Sequence, residues 1–212
     1  MSILYNFLGP DDRPAIIEHL LGLDRDDRVL RFSNPAPDGV IRDYCARWHF
    51  DRDLVVGAWD GGRLIGMIHL PVYDERSGAV GELGVSVAAD CRKRGLAKQL
   101  AARTLLEAHR RGLVRVYIHF LTRNRPMNHL ARRFTDDIVM DEDESHATID
   151  LAGDAVRRAA AMVRTAEPGT TLELLRLPER PPEPTGSAAA TDRDQRRRPE
   201  PTVEGTARSK AA

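Results

Sequence analysis

The chain is short of cysteine, of aromatic residues, of net charge and of long apolar runs, and most of these shortages remove a class of function. Its two cysteines, Cys45 and Cys91, are far apart and belong to no CxxC pair, so neither a disulfide framework nor a zinc site is suggested. Thirty-two basic residues are balanced by thirty-two acidic ones, whereas a duplex-binding protein usually carries a basic footprint. Nucleic acid is therefore not an expected partner. No apolar stretch approaches the roughly 20 residues of a membrane span. The opening MSILYNFLGPDD lacks the charged-then-apolar pattern of a signal peptide. Seven histidines are scattered without HExxH or any other ligand spacing, so no metal is expected. The expected setting is the reducing cytoplasm, and the expected partner is a substrate, with no membrane.

What remains is an ordinary soluble composition, 42% hydrophobic and 30% charged over 212 residues, enough for one domain with a real core. The character changes towards the C-terminal end. From Pro178 onward the sequence is rich in Pro, Ala and Arg, and Val203 is its one large aliphatic residue. Such a segment cannot bury enough apolar surface to offset its ordering entropy. The expected organisation is a domain over residues 2–151, a helix and linker over 152–177, and a disordered tail over 178–212. The run Arg196–Arg198 reads as a solvated charge cluster.

Within the domain, helical and strand patterns alternate. A strand near Ile3–Leu8 precedes a helix that Asp11 or Asp12 can cap, with Pro14 in its first turn and Ile16, Ile17, Leu20 and Leu21 as its stripe. A second helix after NPAPDG carries Ile41, Tyr44, Cys45 and Trp48. DLVVGAW and RLIGMIHLPVY, joined by a Gly-rich turn, read as a hairpin, and AVGELGVSV as one further strand. Leu96 to Arg111 has the strongest helical period, with Leu96, Leu100, Ala101, Leu105 and Ala108 on one side. VRVYIHFLT is a strand, PMNHLARRF a short helix, and DIVMDEDESHATIDL two strands around an acidic turn. Asp154 can cap a last helix over Ala155–Thr165, with Val156, Ala159, Ala160 and Val163 apolar. The sum is an α/β fold, a mixed and mostly antiparallel sheet flanked by helices.

CRKRGLAKQL, Cys91 to Leu100, joins the strand GVSV to that strongest helix. A helix N-terminus offers unpaired N–H groups and the positive end of the dipole, which together make an anion site. Gly95 and Ala97 keep the approach small, and Arg92, Arg94 and Lys98 supply charge. Basic residues at a helix N-terminus conflict with the dipole, and a bound polyanion relieves the conflict. The plain alternative is a turn with solvated arginines. The spacing fits neither GxxxxGK[ST] nor GxGxxG.

Arg92-Lys93-Arg94-Gly95-Leu96-Ala97 resembles the pyrophosphate loop of the N-acetyltransferases of the GNAT family, whose pattern is Arg or Gln, two residues, Gly, one residue, then Gly or Ala. NRPMNHLARRF from Asn124 resembles the same family's NxxMxxLAxxxGF. The likeness runs from about residue 2 to 151. It is closest to the catalytic domain of bacterial protein-lysine acetyltransferases, whose first-helix region DRDDRVLRF also resembles. It implies the acyl-CoA N-acyltransferase fold with six to seven strands, and acetyl-CoA as co-substrate without a metal. The cofactor arm would lie along Leu83, Val85 and Val87, with the Val87 amide on the thioester carbonyl. The pyrophosphate would sit on the segment Arg92, Lys93, Arg94, Gly95, Leu96, Ala97 and Lys98. Asn124 would reach the cofactor arm, or cap the helix at Pro126.

The implied reaction is direct attack by an amine, first of all a protein lysine, and a protonated amine has no lone pair to attack with. A base must take its proton. Glu82 alternates with Leu83 and so faces away from the cofactor side; it resembles the family's base, against the plain alternative of a salt bridge to Arg115. The family tyrosine that serves as acid is replaced by Ala131, and the family Gly-Phe at that helix end is Arg133-Phe134. Cys91 lies at a helix N-terminus, where a thiol pKa falls, but the sequence places no histidine beside it as a base. His69 and His119 read as hydrogen-bonded core histidines, and Trp48, Phe50 and Trp59 as core or pocket wall. A small-molecule amine acceptor, and a non-catalytic acyl-CoA sensor, stay open as alternatives, and the oligomeric state is not written in these residues.

Overall fold

The computed structural model describes residues 3–164; the expected tail and residues 165–177 of the expected helix and linker lie outside the described residues. Nine short strands form two hydrogen-bonded sheets, one in the order β1-β2-β3-β6 and one in the order β4-β5-β7-β9-β8. Every neighbouring pair is antiparallel except β5 with β7. The expected mixed, mostly antiparallel architecture is therefore present, with more and shorter strands than the six or seven expected.

β1 (Leu4–Phe7) leads through a 3-10 turn to α1 (Arg13–Leu21). Asp12 is the N-cap residue but makes no side-chain cap bond; its carboxylate accepts from the Gly9 N–H at 2.8 Å instead, closing the turn before the helix. α2 (Arg25–Phe32) follows, where the apolar pattern announced no separate element. Its helix is set by Asp24, whose side chain accepts from the Asp27 N–H. α3 (Asp38–Ala46) ends before Trp48. β2 (Leu54–Asp60) and β3 (Arg63–Leu70) form the expected hairpin. Gly61 and Gly62 both take positive φ, 58° and 84°, the demand of a two-residue turn whose twist matches the strands. Pro71 then divides the run RLIGMIHLPVY, because it has no N–H for a ladder, and β4 (Val72–Glu75) joins the other sheet.

β5 (Gly78–Glu82) and β6 (Gly84–Val87) come from the stretch that reads as one strand. α4 (Leu96–Arg110) connects β6 to β7 (Arg115–Leu121), and α5 (Arg125–Ala131), β8 (Ile138–Met140), β9 (Glu144–Asp150) and α6 (Asp154–Arg164) complete the order. Leu100, Leu105 and Ala108 of α4 are fully buried and share the main core with Val56, Ile68, Val116 and Ile118 of the sheets. α6 packs on α4, burying Ala155 and Ala159. On the opposite face of β2 and β3, α1 and α3 bury Ile16, Leu20, Ile41 and Trp48 against Val55, Leu64 and Met67.

Two buried histidines tie this second helical layer to the sheet. His19 of α1 makes a 3.1 Å bond from Nδ1 to the Leu64 carbonyl, and its Nε2 lies 2.9 Å from Ser86 Oγ. The carbonyl can only accept, so Nδ1 carries the proton and Ser86 donates to Nε2. His69 of β3 lies between Asp53, 3.0 Å from Nε2, and the Tyr44 hydroxyl, 2.8 Å from Nδ1, with Trp48 stacked on its ring at 3.8 Å. His69 is thus the hydrogen-bonded core histidine expected. His119 is not: it is exposed, beside His146 at 5.9 Å between ring centroids, because β7 turns Val116, Ile118 and Phe120 inward and His119 outward.

Burial pushes the pKa of both His19 and His69 down to about 4. Both are neutral in the folded chain and take up protons on unfolding between about pH 4 and the unperturbed 6.5. Stability from these two residues is complete above that window and is lost as pH falls through it. We expect the unfolding free energy to fall between pH 6 and 5 by roughly 1 kcal/mol per pH unit for each histidine. Urea titrations at spaced pH values check this, and His19→Gln should remove about half of the slope.

Candidate active site

The strand from Gly78 to Val87 changes partners halfway. Up to Glu82 it pairs with β4 on one side and with β7 on the other, Glu82 standing opposite Tyr117. The Leu83 N–H still donates to the Tyr117 carbonyl at 2.8 Å. Beyond it, β6 pairs only with β3, and β7 continues to Leu121 beside β9. A wedge therefore opens between β6 and β7. The Ala88 N–H bonds the Ile65 carbonyl at 2.9 Å, which fixes the alternation of this antiparallel ladder. Gly84 and Ser86 turn their backbone groups to β3, and Val85 and Val87 turn theirs to the wedge. The Val87 carbonyl is met there by Arg92 Nε at 3.3 Å. A free strand edge of this kind accepts an extended chain through backbone hydrogen bonds.

The wedge runs into the start of α4. After a 3-10 turn over Ala89–Cys91, Lys93 and Gly95 take positive φ, 61° and 79°, and the helix begins at Leu96 without a side-chain cap. The first N–H groups of α4 are thus left to solvent or a ligand. Gly95 is needed for its backbone conformation, since a Cβ there would meet nothing within 4 Å. The space above this turn is open.

The cations of the loop differ in their engagement. Arg92 is ion-paired with Asp27 of α2, and Arg94 lies 3.7 Å from Asp60. Lys93 and Lys98 form no ion pair among the described residues. Leu96 is buried in the core, Ala97 half-buried, and Cys91 is buried as a free thiol.

Glu82 is exposed while its neighbours Gly81 and Leu83 are buried. It shares with Gly84 and Ser86 the face turned away from α4, where Ser86 meets α1. The salt bridge to Arg115 is not formed; Arg115 reaches Ser77 Oγ at 3.5 Å. Burial, and then the negative charge of Glu82, raise the pKa of the nearby Tyr73 hydroxyl. Asn124 caps α5, its Oδ1 accepting from the Met127 N–H at 3.1 Å, and its Nδ2 lies 3.5 Å from the Leu30 carbonyl of α2. Ala131 is fully buried, and Phe134 nearly so.

α2 closes one side of the wedge through Asp27, Leu30 and Arg31. Arg31 was not singled out by the sequence, yet its guanidinium lies against Gly84: a Cβ on that glycine would stand 2.5 Å from Cζ and 2.7 Å from Nη1. The spacing of Asp27 and Arg31, four residues apart on one helix, was the signal available.

No described helix is long and apolar enough to cross a membrane. A comparison with curated proteins finds no match. Among solved structures, the chain is similar to the GNAT domain of S. lividans PAT, with a TM-score of 0.60 at 18% identity over 69% of this chain and 89% of that one. It is similar to a spermidine N-acetyltransferase from Vibrio cholerae in complex with CoA and spermine, at 0.55, 17%, 71% and 96%. It is also similar to a ribosomal-protein-alanine N-acetyltransferase from Brucella melitensis, at 0.54, 15%, 69% and 98%. These likenesses establish a shared fold. The signature of the Acetyltransferase (GNAT) family matches residues 23–135, a span that holds the wedge, the turn into α4 and Asn124, and by that match over more than half its length the chain belongs to this family of N-acetyltransferases.

Proposed function

We propose that the protein transfers an acetyl group from acetyl-CoA to a primary amine, first of all a protein lysine, by direct attack within a ternary complex. The observation that carries this reading is one continuous track: the free amide edge of Val85 and Val87 leads directly to the uncapped, open turn at Lys93–Gly95 and the N-terminus of α4. Along that track Val85 and Val87 would hold an extended cofactor arm, whereas the Leu83 N–H, also expected to do so, is already given to the Tyr117 carbonyl. The amides from Arg92 to Ala97, with Lys93 and Lys98, would hold a diphosphate. Arg94 and Arg92 contribute positive field while keeping their own carboxylate partners. Bound acetyl-CoA supplies an acetyl group activated as a thioester.

The residues then divide the work. The Val87 N–H donates to the carbonyl oxygen on which negative charge grows. Glu82, exposed on the face away from α4, takes the proton that the attacking amine must lose, directly or through one water. Asn124 holds α5 and α2 at the mouth of the wedge. The lysine acceptor is supported by the resemblance of residues 24–32 and 80–134 to bacterial protein-lysine acetyltransferases, and by the likeness to the GNAT domain of PAT.

Two outcomes test the reading. Acetyl-CoA and CoA, at about 100 times their dissociation constants, should stabilise the protein by about 2.7 kcal/mol, a rise in Tm of roughly 5–11 °C. ATP should not reproduce it. No shift at millimolar acetyl-CoA would overturn both the enzyme and an acyl-CoA sensor. Separately, Glu82→Gln should lower turnover by about 10²- to 10⁴-fold while keeping the thermal shift. Turnover that survives this change removes Glu82 as the base.

A further inference from the structure

Four arginines near the wedge are paired with carboxylates. Arg28 holds Asp38 at 2.7 Å, Arg63 holds Asp90 at 2.7 Å, Arg92 holds Asp27, and Arg94 holds Asp60. Arg31 has no carboxylate partner among the described residues. It is fixed in place nonetheless. Its Nη2 donates to the Tyr44 hydroxyl at 3.1 Å, and its guanidinium lies 5.0 Å from the Phe32 ring centre and 5.7 Å from that of Tyr44. Tyr44 is held by His69, and His69 by the buried Asp53. The groups in contact with the cation, Tyr44 and Phe32, are neutral, and the Asp53 carboxylate stands beyond Tyr44 and His69, not against it. The field of Arg31 reaches both buried histidines, contributing to their lowered pKa values.

Arg31 is half-buried and lies on Gly84, one same-face step from Glu82. Same-face positions along a strand are about 7 Å apart. Glu82 and the glycine under Arg31 therefore stand at that interval on the proposed acceptor side of the wedge, and Arg31 makes no ion pair among the described residues. A partly desolvated cation without a counterion gains from an anion that completes it. We infer that Arg31 is a specificity-determining residue that selects acceptors carrying a carboxylate near the reacting amine. In a protein substrate this is an acidic side chain two residues from the target lysine, on the same side of an extended segment and at the same interval of about 7 Å. The inference rests on the proposed acetyl transfer to lysine and names the sequence around that lysine.

The test uses peptides with one lysine and Glu, Gln or Lys two residues to either side, against the unaltered protein, Arg31→Gln and Arg31→Lys. A charge-assisted hydrogen bond should favour the Glu peptide over the Gln peptide by about tenfold or more in kcat/KM, expressed mainly in KM. Arg31→Gln should bring that ratio close to one, and Arg31→Lys should restore part of it. Binding of the corresponding acetyl-lysine peptides to the CoA-loaded protein, followed by fluorescence anisotropy, reads the same preference without turnover. Equal binding of Glu and Gln peptides, or a preference that Arg31→Gln leaves intact, overturns the role of Arg31. If the Glu peptide binds better but no peptide is acetylated, the lysine reading fails and the recognition by Arg31 stands.

Discussion

The whole site depends on a strand that cannot keep both neighbours. At Leu83 the chain has its last hydrogen bond to β7, and from Gly84 onward it follows β3. Backbone N–H and C=O groups are costly to leave unpaired away from water, so a divergence inside a sheet creates a demand as well as a space. The Val85 and Val87 edge carries that demand. It ends where α4 begins, so the unpaired strand edge and the unpaired helix N-terminus lie in sequence along one path. Neither feature alone specifies a ligand. Their continuity asks for one that is extended, hydrogen-bonding along its length and anionic at one end.

The charges around this path do two different jobs. Basic groups at the start of a helix oppose its dipole, and here two of them are offset locally. Asp27 brings α2 to Arg92, and Asp60 brings the end of β2 to Arg94. Such pairs contribute little stability by themselves, but the Asp27–Arg92 pair ties α2 to the turn before α4. Lys93 and Lys98 keep their charge available. The same α2 that is anchored by Asp27 carries Arg31 to Gly84, so the proposed cofactor side and the proposed acceptor side are joined through one short helix with no buried residue of its own.

Much of this was legible in the sequence because it is local. The hairpin around Gly61 and Gly62, the period of α4, and the loop from Arg92 to Ala97 each carry their cause within a few residues. The break at Leu83 does not, since AVGELGVSV has the composition of one uninterrupted strand and the change of partner is decided by β3 and β7, far away in the chain. α2 was obscured differently. Only the likeness of DRDDRVLRF to a first-helix region marked it, and its local signals are the Asp24 cap and Arg31 in its last turn. His119 could have been read correctly: it alternates with Ile118 and Phe120, and that period alone turns it outward. The Asp53–His69–Tyr44–Arg31 chain joins residues up to 38 positions apart, beyond the reach of any pattern.

Ala131 bears on how the proposed reaction ends. It is fully buried beside Leu130 and Phe134 in the main core, so no acid can be presented from that position without displacing packed side chains. The proposed chemistry does not require one. A thiol with an ordinary pKa near 8.5 departs as its anion far more readily than an alcohol or amine would, and the positive field at the start of α4 favours negative charge nearby. The harder proton is the one on the amine, which an unperturbed lysine holds until about pH 10.4. The proposed reading meets that difference: Glu82, exposed and without an ion pair among the described residues, would face the acceptor, and the position that could have carried an acid is filled by a methyl group.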